Sequence, residues 1–582
     1  LTLAPGAENA QFVGPLADAY RRLDPEADGW QSEVVGQATQ EQLNRLANWI
    51  TNGTGAGDLA TIVTQEFVMD DLLPPHARVV FRRDSLVVTR AETEHNASGR
   101  GKQDANSGRG ASALRRSLAK LASRFQAGHP EHVKFKVYRA SPRENEVDTL
   151  VHCHADGATQ DGLLEISTTW RCRWTMTESS PPRLTELRVD DFEMVELTGR
   201  TEPLFADCTA SILAHEKPYH RQLLLGTDHW RARICRDLGL DVVANHGLAL
   251  GDVNGDRLDD VYVCQEGGLP NLLFLQRPDG TLADVSDTNG TDWLDYCASA
   301  LIVDLDNDGD RDLVVGQETR LLFMKNDGNA HFELACVVPA SAQVFSLAAA
   351  DFDNDGDVDI YVCGYNPLQA IRRTGALGEP IPYHDAQNGG ENLLLRNEDD
   401  WRFVDVASEV GLDTNNNRFS FAASWEDFDN DGDLDLYVAN DYGRNNLYRN
   451  DNGHFQDAAA ELGVEDMSAG MAVSWGDFNR DGWMDFYVSN MFSAAGNRIT
   501  FQRQFQVDAS ERVKRQFQRH ARGNSLFANV RGQRFDDVSV GSRVTIGRWA
   551  WGNKFVDFNN DGWEDLVVAN GFITAANDTG DL

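Results

Sequence analysis

Six stretches of the chain place oxygen-bearing side chains at the same four offsets of a nine-residue phrase. The copies read DVNGDRLDD from 252, DLDNDGDRD from 304, DFDNDGDVD from 351, DFDNDGDLD from 427, DFNRDGWMD from 477 and DFNNDGWED from 557. Positions 1, 3, 5 and 9 are Asp252, Asn254, Asp256 and Asp260; Asp304, Asp306, Asp308 and Asp312; and Asp351, Asp353, Asp355 and Asp359. In the later copies they are Asp427, Asp429, Asp431 and Asp435; Asp477, Asn479, Asp481 and Asp485; and Asp557, Asn559, Asp561 and Asp565. Carboxylates gathered on one turn repel one another, and a hard cation taking six to eight oxygens converts that repulsion into a cross-link. Calcium is the expected occupant, up to six ions in all, with position 7 adding a backbone carbonyl. Magnesium, which demands stricter octahedral geometry and keeps its water, suits the pattern less. Glycine at position 6 permits a sharp turn in five copies, whereas the first copy carries Arg257 there.

An EF-hand begins similarly but needs an acidic ligand at position 12 and a helix on each side. Position 12 here is Val263, Val315, Val362, Val438, Val488 or Val568, and each loop runs into a segment such as DLYVAN or DFYVSN that reads as a β-strand. Four short strands per unit, A to D, are expected, with calcium clipping the A-to-B turn. Strands C and D are predicted at 271–276 with 282–285, 320–325 with 332–335, 392–397 with 403–406, NNLYRN at 445–450 with HFQDAAAELG from 454, and 524–529 with 535–538. Small sheets cannot bury their faces alone, so radial blades closed into a ring are the expected solution. The copies start 52, 47, 76, 50 and 80 residues apart, so two blades carry insertions, at 366–391 and 497–523. The apolar run at 222–240 looks like strands C and D without a loop. Joined to the last copy it completes six blades; seven are the alternative.

These phrases, with NLLLRN and NNLYRN after them, resemble the FG-GAP or VCBS-repeat propellers, the class that includes the head of integrin α chains and bacterial relatives of cartilage acidic protein. The resemblance implies an all-β propeller over 205–582 and a calcium-stabilised binding scaffold that is secreted, periplasmic or on the cell surface. It implies no shared reaction.

Residues 1–200 read differently. Helical periodicity marks 10–23 and 39–50, a third helix is expected from about 112, and a polar break at 95–110 is expected to be flexible. Four strand candidates follow, HVKFKVYRA, DTLVHCHADG, LLEISTTWRCRWTM and RLTELRVDDFEMVEL, which argue an α+β domain whose order is similar to the NTF2 or SnoaL-like cone. In a pocketed cone, His152 and His154 would share a strand face beside Glu165, Thr169, Trp170 and Trp174. No nucleophile elbow, metalloprotease helix or phosphate loop is present to make an enzyme of it.

The 497–523 insertion is locally basic, through Arg503, Arg512, Lys514, Arg515, Arg519 and Arg522, with helical spacing among Phe505, Val513 and Phe517. Pairing with acidic neighbours or holding an anion are both open to it. The net charge of −38 excludes a partner held mainly by nucleic-acid phosphates. No apolar run is long enough to span a membrane as a helix. Eight cysteines without C-x-x-C spacing exclude a zinc ribbon, and Cys264 and Cys363 are expected as buried thiols at strand ends. The chain opens at Leu1 without an initiator Met, which is expected of a trimmed or processed polypeptide. The expected function is calcium-dependent binding or adhesion to a protein or glycan; an inert surface scaffold and an enzyme are the alternatives.

Overall fold

A computed structural model describes residues 30–52, 59–92, 108–177, 180–200, 202, 204–226, 229–230, 232–234, 247–368 and 384–571. The expected helix at 10–23, the break at 95–107, most of the insertion at 366–391 and the run at 235–246 lie outside the described residues. The chain divides into two units: Leu1–Ala206 with Ser493–Lys514, and Asp207–Phe492 with Arg515–Leu582.

In the first unit, helix α1 (Gln31–Thr51) buries Leu43, Leu46, Trp49 and Ile50 on one stripe, and α2 (Gly110–Ala122) buries Leu114, Leu118 and Leu121. Both stripes share one core with an eight-stranded sheet. Its strands are β1 (Val63–Met69), β2 (Arg78–Arg83), β3 (Leu86–Glu92), β4 (Gly108–Arg109), β5 (His132–Pro142), β6 (Glu146–Ala158), β7 (Gly162–Thr177) and β8 (Ser180–Thr198). The sheet order is β2-β3-β8-β7-β6-β5, with β1 parallel to β8.

The four expected long strands are β5 to β8. The hairpin of strands β2 and β3 carries little sequence signal, because 78–92 is rich in arginine and its tight turn places an aspartate, Asp84, rather than glycine at positive φ (44°). Along β6 the burial alternates, so Val147, Thr149, Val151, Cys153 and Ala155 face the core while His152 and His154 face away. Trp170 and Trp174 are in the core, and Trp174 Nε1 donates to Thr149 Oγ1 at 2.9 Å. The expected grouping of histidines with tryptophans around a pocket is therefore corrected: strand alternation puts them on opposite faces.

The basic insertion is not one helix. A short helix, α3 (Ala494–Thr500), is capped by Ser493, whose Oγ accepts the Gly496 N–H at 2.9 Å; Phe505 lies in a turn, and α4 (Glu511–His520) follows. Residues 493–514 belong to the first unit, where Arg498 forks onto Glu33 at 2.8 and 2.6 Å and donates to the Val137 carbonyl at 2.8 Å.

Among the described residues the second unit holds five four-stranded antiparallel meanders and one two-stranded sheet. Their A strands are Leu248–Gly251, Cys297–Val303, Ala342–Ala350, Phe419–Glu426, Gly470–Gly476 and Ala550–Val556. Their B strands are Asp260–Val263, Asp312–Gln317, Asp359–Pro367, Asp435–Asp441, Asp485–Asn490 and Asp565–Asn570. Sheets one to five add C and D strands at the places read from the sequence: Leu272–Gln276 with Leu282–Asp284, Arg320–Asn326 with Phe332–Pro339, Leu393–Asn397 with Phe403–Asp405, Asn446–Asn450 with Phe455–Asp457, and Ser525–Asn529 with Phe535–Asp537. Among the described residues sheet six has only its A and B strands.

Each A strand lies beside the A strand of the next sheet. Five apolar cores fill the spaces between successive sheets. Strand B of sheet three shows why its sequence is apolar throughout: Ile360 and Val362 pack toward sheet two, and Tyr361 and Cys363 toward sheet four. Cys264 and Cys363 are both fully buried, as expected of small apolar side chains, and the seven described cysteines carry free thiols.

One strand expectation fails. Gln222 and Leu223 close a helical turn, Tyr219–Leu223, that follows Pro218, rather than opening a strand C. An apolar run does not by itself distinguish strand from helix, and here Tyr219 and Leu223 pack with Leu213 on Leu272, Phe274 and Leu282 of sheet one.

Candidate metal centre

Each A strand ends at a short loop that the next B strand closes, and the first aspartate of the phrase organises that loop. In the third copy Asp351 Oδ1 accepts the Asp355 N–H at 3.0 Å and Oδ2 accepts the Gly356 N–H at 2.9 Å. The fourth and fifth copies repeat this through Asp427 and Asp477, each at 3.0 and 2.9 Å, and the sixth through Asp557 at 2.8 and 2.6 Å. Position 5 then accepts the N–H of position 7, as Asp355 does from Asp357 at 2.9 Å.

The turn requires positive φ at position 6, supplied by Gly309 at 92° and Gly356 at 99°. Arg257 adopts 70° in the first copy, and its N–H still reaches Asp252 Oδ2 at 2.7 Å, so that loop keeps the shared path at the cost of a left-handed arginine.

These bonds aim the remaining carboxylates inward. Asp304, Asp306 and Asp308 bring oxygens within 4.8 Å of one another, as do Asp351, Asp353 and Asp355, and Asp427, Asp429 and Asp435. Burial raises the pKa of Asp353 and Asp429, with the neighbouring aspartates adding to the shift. Four carboxylate oxygens in these groups, Oδ1 of Asp304, Asp306, Asp353 and Asp429, are buried without a hydrogen-bond partner. Buried polar atoms are ordinarily satisfied, so a hard cation bound by oxygen fits this donor set. In copies one, five and six, position 3 is Asn254, Asn479 or Asn559, so three carboxylates do not converge; Asn479 and Asn559 donate to Asp485 and Asp565 at 3.2 and 3.1 Å.

Position 9 has a second task. Asp260, Asp312, Asp359, Asp435 and Asp485 are essentially fully buried. Asp435 Oδ2 accepts the Phe428 N–H at 3.1 Å and its Oδ1 the Asn450 N–H at 2.8 Å, tying the loop to strand C. Asp312 and Asp359 make the same pair of bonds, at 2.9 and 2.9 Å and at 3.2 and 2.8 Å. Burial pushes the carboxyl of Asp312 up to about 6, of Asp359 and Asp485 to about 7, and of Asp435 to about 8.

The residue ending strand C was missed at the level of sequence. Asn326, Asn397, Asn450 and Asn529 each donate their side-chain amide to the position-2 carbonyl of the preceding loop, Val253, Leu305, Phe352 and Phe428, at 2.8 to 2.9 Å. The same amides reach the position-8 carbonyl of their own loop, so one asparagine staples two sheets. The signal was the recurrent Asn closing FMKN, LLRN, LYRN and LFAN.

Lys325, one residue earlier, contacts Asp306 and lies 3.2 Å from Asp308, so the second loop carries its own tethered cation. Two cations of the basic insertion pair with acidic neighbours: Arg519 bonds Asp466 at 2.6 Å and contacts Asp537, which Arg522 also bonds at 2.9 Å.

The FG-GAP-like repeat family matches residues 252–315, 304–362 and 427–488. Cartilage acidic protein 1 of Xenopus tropicalis is 26% identical over 220 residues, covering 36% of this chain and 31% of its own length. The Homo sapiens protein of that name is 29% identical over 122 residues, 20% of this chain and 18% of its own. The chain therefore spans about a third or less of these relatives. The V. cholerae biofilm matrix protein Bap1 is 16% identical, with 43% of this chain and 35% of its own covered at a TM-score of 0.25. No described helix is long and apolar enough to cross a membrane. Three FG-GAP-like repeats thus coincide with the aspartate loops, and part of the chain is similar to cartilage acidic protein 1.

Proposed function

We propose that the second unit is a closed β-propeller clipped by up to six calcium ions, working outside the cell as a scaffold that binds a protein or glycan through its loops. The observation that carries the calcium reading is the set of buried, unpartnered carboxylate oxygens at Asp304, Asp306, Asp353 and Asp429. Positions 1, 3 and 5 would hold the ion. Position 9 would pin the loop to strand C and complete the charge, directly so at Asp435. Calcium supplies charge neutralisation; the chain supplies a loop already organised by the position-1 carboxylate.

Six blades are proposed, since the A and B strands of sheet six need C and D partners to bury their faces. Extracellular placement and binding rest on the FG-GAP-like repeats and the similarity to cartilage acidic protein 1. The first unit, a sheet of long strands sharing its core with two helices, is proposed to have the NTF2-like arrangement.

Thermal melting in calcium and in chelator tests the scaffold reading. One site held at a hundred times its Kd adds about 2.7 kcal/mol, so several sites should raise Tm by 10 °C or more, on the order of what linkage gives. Equal melting in both conditions removes the calcium role. A glycan and peptide array probed in calcium and in chelator tests the binding role; signal in neither favours an inert scaffold.

A further inference from the structure

Position 4 lies between two expected ligands and takes left-handed φ in every loop: 55° at Asn307, 59° at Asn354 and Asn430, 60° at Arg480, 56° at Asn560, and 73° at Gly255 in the first. That conformation turns the side chain sideways, toward the following loop. Asn307 Nδ2 donates to Asp357 Oδ1 at 2.8 Å and to the Gly356 carbonyl at 3.3 Å. Asn354 Nδ2 donates to Asp433 Oδ1 at 3.1 Å, and Asn430 Nδ2 to the Gly482 carbonyl at 3.5 Å. In the fifth loop the guanidinium of Arg480 lies 4.8 Å above the ring of Trp563. The receiving residues are position 6 or 7 each time, although the chemistry changes from hydrogen bond to cation–π. Loop one has Gly255 at position 4 and so has no side chain to extend to loop two.

The receiving end is part of the loop's own frame. The N–H of position 7 donates to the position-5 carboxylate, from Asp357 to Asp355 at 2.9 Å, from Asp433 to Asp431 at 3.0 Å and from Trp563 to Asp561 at 2.7 Å. Asp433 is held on both sides, since its Oδ2 also accepts the Asn452 N–H at 2.7 Å. A loop whose turn is fixed thus fixes the anchor for position 4 of the loop before it, and position 4 sets the path between that loop's second and third ligands.

We infer that loops two to six form a row coupled through position 4, in which an ion bound in one loop raises the affinity of its neighbours, and that loop one, although Asn326 ties it to loop two, lacks this position-4 coupling. This rests on the calcium reading above. Position 4 acts as a positioning residue through the neighbouring loop rather than as a ligand. Exposed hydrogen bonds of this kind contribute about 0.5–1.5 kcal/mol, which sets the coupling at roughly two- to tenfold per contact.

The test is the full chain with Asn307→Gly, Asn354→Gly and Asn430→Gly together. Glycine keeps the left-handed backbone and is the residue loop one already has. Hydrogen exchange with mass spectrometry across a calcium titration reads a midpoint and a steepness for each loop. In the parent, loops two to five should protect steeply and together. In the variant their midpoints should move about two- to tenfold higher in calcium and their transitions should flatten, with loop one unchanged. Unchanged midpoints and steepness in loops that still bind calcium overturn the coupling alone. Absence of calcium-dependent protection in both proteins overturns the coupling together with the calcium reading.

Discussion

Replacing Asn450 by alanine should cost the second unit far more than its surface position in the sequence pattern suggests. Asn450 is fully buried at the end of strand C in sheet four. Its amide donates to the carbonyls of Phe352 at 2.9 Å and Leu434 at 3.1 Å, and its Oδ1 accepts the Gly453 N–H at 2.7 Å. Alanine leaves these three backbone groups without their partner. A buried group left unsatisfied costs about 1–3 kcal/mol, and partial relaxation brings the sum to about 4 kcal/mol. At about 2 °C per kcal/mol for a large unit, Tm should fall by ~8 °C.

The neighbouring Arg449→Ala is the control, because its contact to Asp451 at 3.6 Å is a partly exposed ion pair worth about 0–1 kcal/mol. Hydrogen exchange should show the loss locally, at Gly453 and in the third loop, where Phe352 lies. A Tm change below about 2 °C for Asn450→Ala, or equal effects from both variants, would refute the staple.

Lys325→Met should tighten calcium binding in the second loop by about fivefold, since a unit charge near 4 Å in water is worth ~1 kcal/mol; isothermal titration showing unchanged or weaker binding contradicts the tethered-cation reading. In the first unit, burial against Tyr138 holds the His152 imidazole down at about 4, below its ordinary 6.5. The unfolded chain therefore binds the proton first: the contribution is full above pH 6.5, declines as pH falls toward 4, and totals ~3 kcal/mol. His152→Phe should flatten that slope in unfolding measured between pH 4 and 7, and an unaltered slope rules His152 out as its source. Arg498→Met should cost about 3 kcal/mol by stranding Glu33, where both side chains are only 16% exposed. Adding Glu33→Gln should cost little more, and fully additive losses would show that the two do not act as a pair.

The ligand loops and most B, C and D strands were legible because six copies in register outweigh the ambiguity of any one. Asp351 and Asp427 organise their turns through bonds to residues four and five positions on, a relation set by local sequence. What escaped reading depends on residues remote in sequence. Asn397 reaches Leu305 across 92 positions, and nothing local distinguishes it from an exposed strand end. Position 9 looked like a fourth ligand, and its bonds to strand C emerge only once strand C is in place. The 222–240 run fails for the opposite reason: its apolar start suggests a strand, yet Leu223 ends a helical turn that packs on sheet one. His152 and His154 share one strand face as expected, with Glu165 and Thr169 of the next strand on the same side, but Trp170 and Trp174 of that strand belong to the core face.

The central claim is that the repeated loops are calcium sites, and ion counting on the purified chain tests it directly. Native mass spectrometry or equilibrium dialysis at millimolar free calcium should find up to six ions per chain, with loops two, three and four accounting for three that are lost when Asp306, Asp353 and Asp429 are changed together to alanine. A chain that retains no calcium under those conditions, or that retains its full complement after the three substitutions, contradicts the account.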